Sequence, residues 1–172
     1  MKNIQKEFTK EQKEILQGLF STDEKKVLDS IKLLRTKGGV FSVKPLLEIY
    51  FTTKSDSIRD AVYALVCDLK LSKTAEIFAN NIELYSKQEG LAKLLSAFWQ
   101  SSIKFSELLP FIKVFFDSDN SCSVEILTIV EQNIYNVSNE DKWKCDELIT
   151  SKMSEMEGFK LDIAKEILVM LK

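Results

Sequence analysis

The acidic segment at residues 117–125, DSDNSCSVE, contains the residue types of a calcium-binding loop. Its first aspartates and a serine alternate, as oxygen ligands do in an EF-hand loop. The pattern fails at two required positions, because Cys122 stands where the loop needs glycine and Thr128 where it needs a bidentate glutamate. We therefore expect a polar turn that ends one helix, with Asn120 or Ser121 capping the next.

Nucleophilic and acid–base chemistry has little support in the sequence. The chain contains no histidine, the commonest general base and a common metal ligand. Cys67, Cys122 and Cys145 are widely spaced and form no C-x-x-C pair, so the sequence predicts neither a zinc site nor a disulfide framework. Cys67 has no evident activating partner and is expected to be a buried thiol. The sequence thus predicts no catalytic residue, no metal site and no cofactor.

The charge balance is close to neutral and argues against a nucleic-acid or membrane partner. Lysine and arginine number 24 against 26 acidic residues, which gives a net charge of -2. Only Arg35 and Arg59 carry the guanidinium group that usually recognises phosphates and base edges. The polar start of the chain and the absence of a run of about 18 apolar residues predict a cytoplasmic protein without a membrane span.

The elements that position these residues are predicted to be helices. The sequence has only five glycines and two prolines, and its apolar residues recur at spacings of three and four. Residues 21–39 show the pattern most clearly. Ser21 and Glu24 have the spacing of a capping box, an apolar face follows from Val27 to Leu34, and two glycines end the segment.

Both prolines are predicted to mark the start of a helix. Pro45 and Pro110 each follow a Phe-Ser pair and each open an apolar run. A proline costs little in the first turn of a helix, because the N–H group it lacks would have no partner inside the helix. Ser42 is placed to cap the helix that contains Pro45.

The helical pattern repeats along the chain. The face formed by Val27, Ile31 and Leu34 recurs 31 residues later as Ile58, Val62 and Leu65. Two further copies continue the series, with Leu91, Leu95 and Phe98 in one and Leu127 and Val130 in the other. Periods of roughly 31 to 33 residues are typical of an α-solenoid, in which stacked helix pairs share one core.

The prediction is an all-α fold, a right-handed α-α superhelix of about four stacked antiparallel helix pairs. The whole chain, residues 1–172, is expected to form one domain. Residues 1–20 supply an N-terminal capping helix, 21–156 the repeats and 157–172 a C-terminal capping helix.

The segments DSIRDAVYAL, from Asp56 to Leu65, and VKPLLEIY resemble the two helices of the bacterial short HEAT repeat. Arg59 stands at the basic position of that family's first helix. The other units depart from the pattern, since Leu28 replaces this arginine and Glu76 or Ala75 stands near the proline position. The resemblance, over roughly residues 21–135, implies a HEAT-like solenoid that acts as a non-catalytic scaffold for a protein or peptide partner.

The groove formed by the second helices is the predicted binding surface. Its candidate residues are those that lie between the apolar positions: Lys44, Glu48, Glu76, Asn80, Glu107 and Lys113. Two alternatives stay open. One is a HEAT-like DNA-binding protein or DNA glycosylase-type enzyme, which would need a basic channel. The other is a structural subunit that forms a homodimer or larger self-assembly.

A dense aromatic cluster bears on the second alternative. It contains Phe98, Trp99, Phe105, Phe111, Phe115 and Phe116. Aromatic residues at helical spacing usually face inward, so core packing is the favoured interpretation. The other interpretation is an exposed patch that binds a partner or a second copy of the chain.

Overall fold

The structure is a computed structural model that describes residues 8–70 and 72–172, and most of these residues are helical. Ten α-helices occur in the described ranges: α1 Lys10–Leu19, α2 Glu24–Lys37, α3 Val43–Thr52, α4 Asp56–Cys67, α5 Ser72–Ile82, α6 Leu91–Gln100, α7 Leu109–Asp117, α8 Asn120–Asn133, α9 Asn139–Lys152 and α10 Gly158–Leu171. Short 3₁₀ turns lie at Val40–Ser42, Glu83–Tyr85 and Met153–Glu155. Because these ranges contain no strand, the predicted all-α class is confirmed.

The helices form two rows, in which alternate helices contact one another. The even row consists of α2, α4, α6, α8 and α10, each in contact with the next. The odd row consists of α3, α5, α7 and α9, also in successive contact, while α1 contacts both α2 and α3. The rows meet through α3 and α4, α7 and α8, and α9 and α10. Their buried apolar side chains form one core cluster, so each row covers the apolar face of the other.

Side chains about one sequence period apart are neighbours within a row. Tyr63 Oη and Ser96 Oγ are 3.4 Å apart, and Lys93 Nζ lies 2.5 Å from Asp60 Oδ1; both pairs are 33 residues apart in sequence. Arg35 also forms an ion pair with Asp68. Successive helices of the even row therefore present similar positions to each other.

The predicted core faces of the first three units are buried as expected. The buried positions are Val27, Ile31, Leu34, Ile58, Val62, Leu65, Leu91, Leu95 and Phe98. In α8 the prediction is partly wrong, because Val130 is buried but Leu127 is only half-buried, and Ile126 and Ile129 are fully buried in its place. The reason is that α8 contacts α6, α7 and α10, which turns its apolar face toward three neighbours.

Two predicted helix caps are wrong. Asp23, rather than Ser21, caps α2, because its carboxylate accepts a hydrogen bond of 3.0 Å from the backbone N–H two residues on. Asp119, rather than Asn120 or Ser121, caps α8, because its carboxylate accepts a hydrogen bond of 2.9 Å from the backbone N–H three residues on. This backbone hydrogen bond lowers the pKa of Asp119. In both cases a charged acceptor that complements the helix dipole takes the position predicted for an uncharged one.

The prolines lie where the sequence predicts. Pro45 is in the first turn of α3, and Pro110 is the second residue of α7. Ser42 occupies the cap position of α3, but its hydroxyl donates to the carbonyl of Gly39 at 2.8 Å and makes no cap hydrogen bond. The reason is that a 3₁₀ turn precedes α3, so the backbone at Ser42 is already helical rather than extended.

Most of the aromatic cluster is core. Phe98, Phe105 and Phe111 pack edge to face, with ring centroids 4.9 to 5.9 Å apart. Phe115 is also fully buried, so the core interpretation is confirmed for these four. Trp99 and Phe116 are only partly buried. The indole N–H of Trp99 donates instead to Glu125 Oε2 on α8 at 2.6 Å.

The three cysteines are free thiols, but they differ in burial. Cys122 and Cys145 are buried, whereas Cys67 is only half-buried, so its predicted full burial is wrong. Burial raises the pKa of Cys122 to about 12 and raises that of Cys145 further. Both buried thiols are therefore protonated at neutral pH and have little nucleophilic character.

A buried tyrosine should give the protein a distinct alkaline titration. The Tyr50 hydroxyl donates to the Gly90 carbonyl at 2.8 Å, and burial raises its pKa from 10.0 to about 12. Because the folded pKa is the higher one, the associated stability is fully present below pH 10 and is lost as the pH rises to about 12. We expect Tyr50→Phe to cost about 1 kcal/mol at neutral pH and to abolish the latest tyrosinate step in an ultraviolet absorbance titration. Persistence of that step in the variant would contradict the assignment.

Candidate binding surface

The predicted binding residues all lie on the odd row. Their outward-facing side, here called the odd-row surface, is formed by α3, α5, α7 and α9 with the turns that precede them. Lys44 and Glu48 lie on α3, Glu76 and Asn80 on α5, Glu107 just before α7 and Lys113 on α7. All six reach solvent, although Glu76 is half-buried.

The segment between α6 and α7, residues 101–108, is held by a buried asparagine. The backbone N–H of Phe105 donates to Asn133 Oδ1 at 2.8 Å. Asn133 in turn donates to the carbonyl of Ile129 at 2.7 Å, which fixes its side-chain orientation. The segment is thus attached to the end of α8, 28 residues away in sequence.

A buried aspartate holds the same segment at its other end. The backbone N–H of Leu108 donates to Asp141 Oδ2 at 2.7 Å, from the first turn of α9. Ser138 caps that turn by accepting from the backbone N–H of Asp141 at 3.1 Å. Glu107 lies between the two held amides, so its backbone position is set by buried hydrogen bonds from two different helices.

Polar contacts also join neighbouring helices on the odd-row surface. The Ser106 hydroxyl donates to Glu76 Oε1 at 2.8 Å. Lys113 Nζ on α7 lies 4.0 Å from Glu83 Oε2, which follows α5. Both contacts join residues that are about one sequence period apart, as the contacts of the even row do, and both link adjacent helices.

A cavity of about 170 Å³ lies between α5, α7 and α9. Its polar lining consists of Asn80, Glu83, Glu107, Lys113, Asp141 and Lys144, with Leu109 and Pro110 beside them. The structure therefore brings together three of the predicted residues, namely Asn80, Glu107 and Lys113. Lys44, Glu48 and Glu76 do not line this cavity.

Three of the six polar lining residues were not among the sequence-based candidates. Glu83 and Lys144 are ordinary exposed charges in the sequence pattern. Asp141 and Glu140 are adjacent acids at the start of α9, and only Glu140 faces solvent. It forms a 2.6 Å ion pair with Lys144, which raises the pKa of the lysine and lowers that of the glutamate. The spacing from Ser138 to Asp141 predicts a first turn but does not show which acid turns inward.

Larger cavities lie at the ends of the helices. One of about 430 Å³ has Leu34, Arg35 and Leu69 in its wall, and Arg35 is already paired with Asp68. Another, of about 470 Å³, is lined by Tyr50 and by charged residues of α4 and α6. These charges are already paired, since Arg59 bonds Asp56 at 3.0 Å and Lys93 bonds Asp60 at 2.5 Å. The smaller cavity of the odd-row surface is therefore the better candidate for polar recognition.

Metal-ligand clusters and membrane-spanning helices are both absent from the described residues. No group of three or more potential ligands that could hold a metal ion occurs there. None of the helices in the described ranges is both long and apolar enough to cross a bilayer. Neither protein-family models, nor curated proteins, nor solved structures show a match to this chain. The candidate site is therefore defined by the geometry of the chain itself.

Proposed function

We propose that this chain is a HEAT-like α-solenoid of about four helix pairs that binds a protein or peptide partner along the odd-row surface and catalyses no reaction. The observation that carries the proposal is the cavity between α5, α7 and α9, which gathers Asn80, Glu107 and Lys113. The two rows of successively contacting helices support the solenoid, as do the side-chain contacts between positions 33 residues apart.

Stacked helix pairs suit this function because they present equivalent positions along a continuous surface. A partner that lies across α5, α7 and α9 would meet charged and amide groups from three successive units. Such groups provide specificity, because a mismatched partner leaves them desolvated and unpaired.

The surface is also held in place before a partner arrives. The backbone on both sides of Glu107 is fixed by the buried side chains of Asn133 and Asp141. Binding therefore loses less conformational entropy than it would on a mobile loop. This preorganisation favours recognition of a defined partner over general adhesion.

A DNA glycosylase-type function would need a run of unpaired basic residues in the groove. On the odd-row surface Lys113 and Lys144 each pair with a glutamate, which reduces the positive charge that this surface would present to DNA. Duplex binding at low salt is the discriminating assay, because electrostatic attraction to DNA is strongest there. Self-association is tested separately by light scattering.

Replacing Asn80, Glu107 and Lys113 together with alanine should abolish partner binding, because the cavity loses its recognition groups. The chain would serve as bait in a lysate of its source cell, and the captured protein would then be purified and titrated by calorimetry. We expect affinity at least about tenfold weaker, with an unchanged melting temperature because all three side chains are exposed.

The matched control replaces Lys32, Glu131 and Gln132 with alanine. These residues are exposed on the even row, and the control removes the same charges and one amide. Equal affinity of both triple variants, or full retention by the odd-row variant, would place the binding surface elsewhere.

A further inference from the structure

We propose that the cavity between α5, α7 and α9 receives an arginine side chain of the partner, with its guanidinium group bound by Asp141 and Glu107. The proposal rests on the proposed function and names the chemistry that the same surface recognises. It predicts that the partner's binding segment carries at least one arginine.

The first argument is a carboxylate oxygen, on a nearly buried side chain, that receives no hydrogen bond from the described residues. Asp141 is only 7% exposed and lines the cavity. Its Oδ2 accepts from the backbone N–H of Leu108 at 2.7 Å and from the thiol of Cys145 at 3.9 Å. Its Oδ1 accepts no hydrogen bond from any residue in the described ranges, although an ionised carboxylate can accept about four.

The second oxygen of Asp141 is accessible, and its residue lines the cavity. In the described part of the chain, the only fully enclosed side-chain oxygen or nitrogen without a partner is the Ser118 hydroxyl. Asp141 Oδ1 is therefore not sealed in the core. A donor that enters the cavity can therefore reach this oxygen, and the low dielectric around a nearly buried carboxylate strengthens such a charge-assisted hydrogen bond.

The second argument is the distribution of charge around the cavity. Three carboxylates and two ammonium groups line it. Lys113 is engaged by Glu83 at 4.0 Å, and Lys144 is engaged at 2.6 Å by Glu140, which is not part of the lining. Glu107 forms no ion pair within the described ranges. The two lysines thus have partners, and Glu107 and Asp141 leave a net negative charge for a ligand to neutralise.

The geometry favours a guanidinium group over other cations. Its planar fork of donors can serve two carboxylates and the amide oxygen of Asn80 at once, and it is more weakly hydrated than an ammonium group. The cavity of about 170 Å³ is several times larger than the roughly 30 Å³ share of one water, so it can hold such a group. A hard metal ion would need about six to eight oxygen ligands, and the described residues provide no metal-binding group.

The test is a titration of the isotope-labelled protein with N-acetyl-arginine methylamide, followed in amide correlation spectra. This probe carries only the guanidinium charge. We expect saturable shifts at the amides of Glu107, Leu108 and Asp141, with a dissociation constant of about 1 mM. The uncharged isostere N-acetyl-citrulline methylamide should bind at least about tenfold more weakly, because it cannot neutralise the two carboxylates. Equal binding of both compounds would overturn the proposal, as would tighter binding of N-acetyl-lysine methylamide.

Two variants test whether the probe binds in the cavity. Glu107→Gln preserves shape and removes one charge, and it should weaken binding at least about tenfold, whereas Glu131→Gln makes the same change on the even row and should have no effect. Asp141→Asn keeps an oxygen acceptor for Leu108 and should also lose binding while the circular dichroism spectrum is retained. Unchanged binding to Glu107→Gln would exclude this site.

The outcomes also separate this inference from the proposed function. A partner captured through the odd-row surface, together with no detectable binding of the arginine compound, would overturn the inference and leave the function standing. Binding of the compound in the cavity, together with partner capture that survives the odd-row triple substitution, would overturn the proposed function and with it the assignment of the arginine to that partner.

Discussion

Replacing Phe98 with alanine is expected to lower the free energy of unfolding by about 3–5 kcal/mol. Phe98 is 1% exposed, and its ring packs against Phe78 on α5, Phe105 before α7 and Phe111 on α7. Truncation would remove the aromatic contacts that join α6 of the even row to the odd row. The residual cavity adds to the lost burial, because three rigid rings cannot collapse fully into it. Denaturant unfolding followed by circular dichroism measures the loss.

Two controls define the expected scale. Phe20→Ala removes a ring that is 54% exposed at the end of α1 and should change stability by less than about 0.5 kcal/mol. Phe98→Leu keeps most of the volume and should cost less than the alanine variant. If Phe98→Ala were no more costly than Phe20→Ala, the aromatic cluster could not be a major contact between α6 and the odd row.

Replacing Asp141 with alanine is expected to cost about 2–3 kcal/mol, because it leaves the buried N–H of Leu108 without an acceptor. Leu108 is fully buried, so water cannot replace the carboxylate without local opening. Hydrogen exchange at the Leu108 amide should therefore accelerate together with the loss of stability. Asp141→Asn retains a carbonyl oxygen and should cost less.

Asn133→Ala provides a second test of how strongly buried hydrogen bonds hold the segment 101–108. It removes the acceptor for Phe105 at the other end of the segment 101–108. Because both side chains hold one segment, the double variant should lose less stability than the sum of the single variants. An unchanged exchange rate at Leu108 in Asp141→Ala would contradict the role assigned to Asp141.

The helical class and the repeated core faces could be predicted from the sequence because both depend on local spacing. Val27, Ile58 and Leu91 recur at nearly constant intervals, and all three are buried. The first-turn positions of Pro45 and Pro110 follow equally directly from the missing N–H group. A spacing rule identifies these features because each one depends on a single helix.

The rest of the candidate site depends on contacts between helices, which spacing does not encode. Glu140 and Asp141 are adjacent acids in one first turn, yet one faces solvent and the other is buried. That difference arises because Leu108, 33 residues earlier, needs an acceptor. Cys67 and Trp99 show the same limit, since their positions on a helix do not reveal how closely the neighbouring helix covers them.

The two-row arrangement limits how strongly a substitution in one helix can affect the packing of distant helices. Each inner helix of the even row contacts the helices before and after it, so α2 reaches α10 only through α4, α6 and α8 or across the odd row. A disturbance at one end would have to be passed through several packed interfaces, each of which can absorb part of it. Substitutions in the first and last helices should therefore act independently, and the two ends of the molecule can diverge in sequence without disturbing the surface between them.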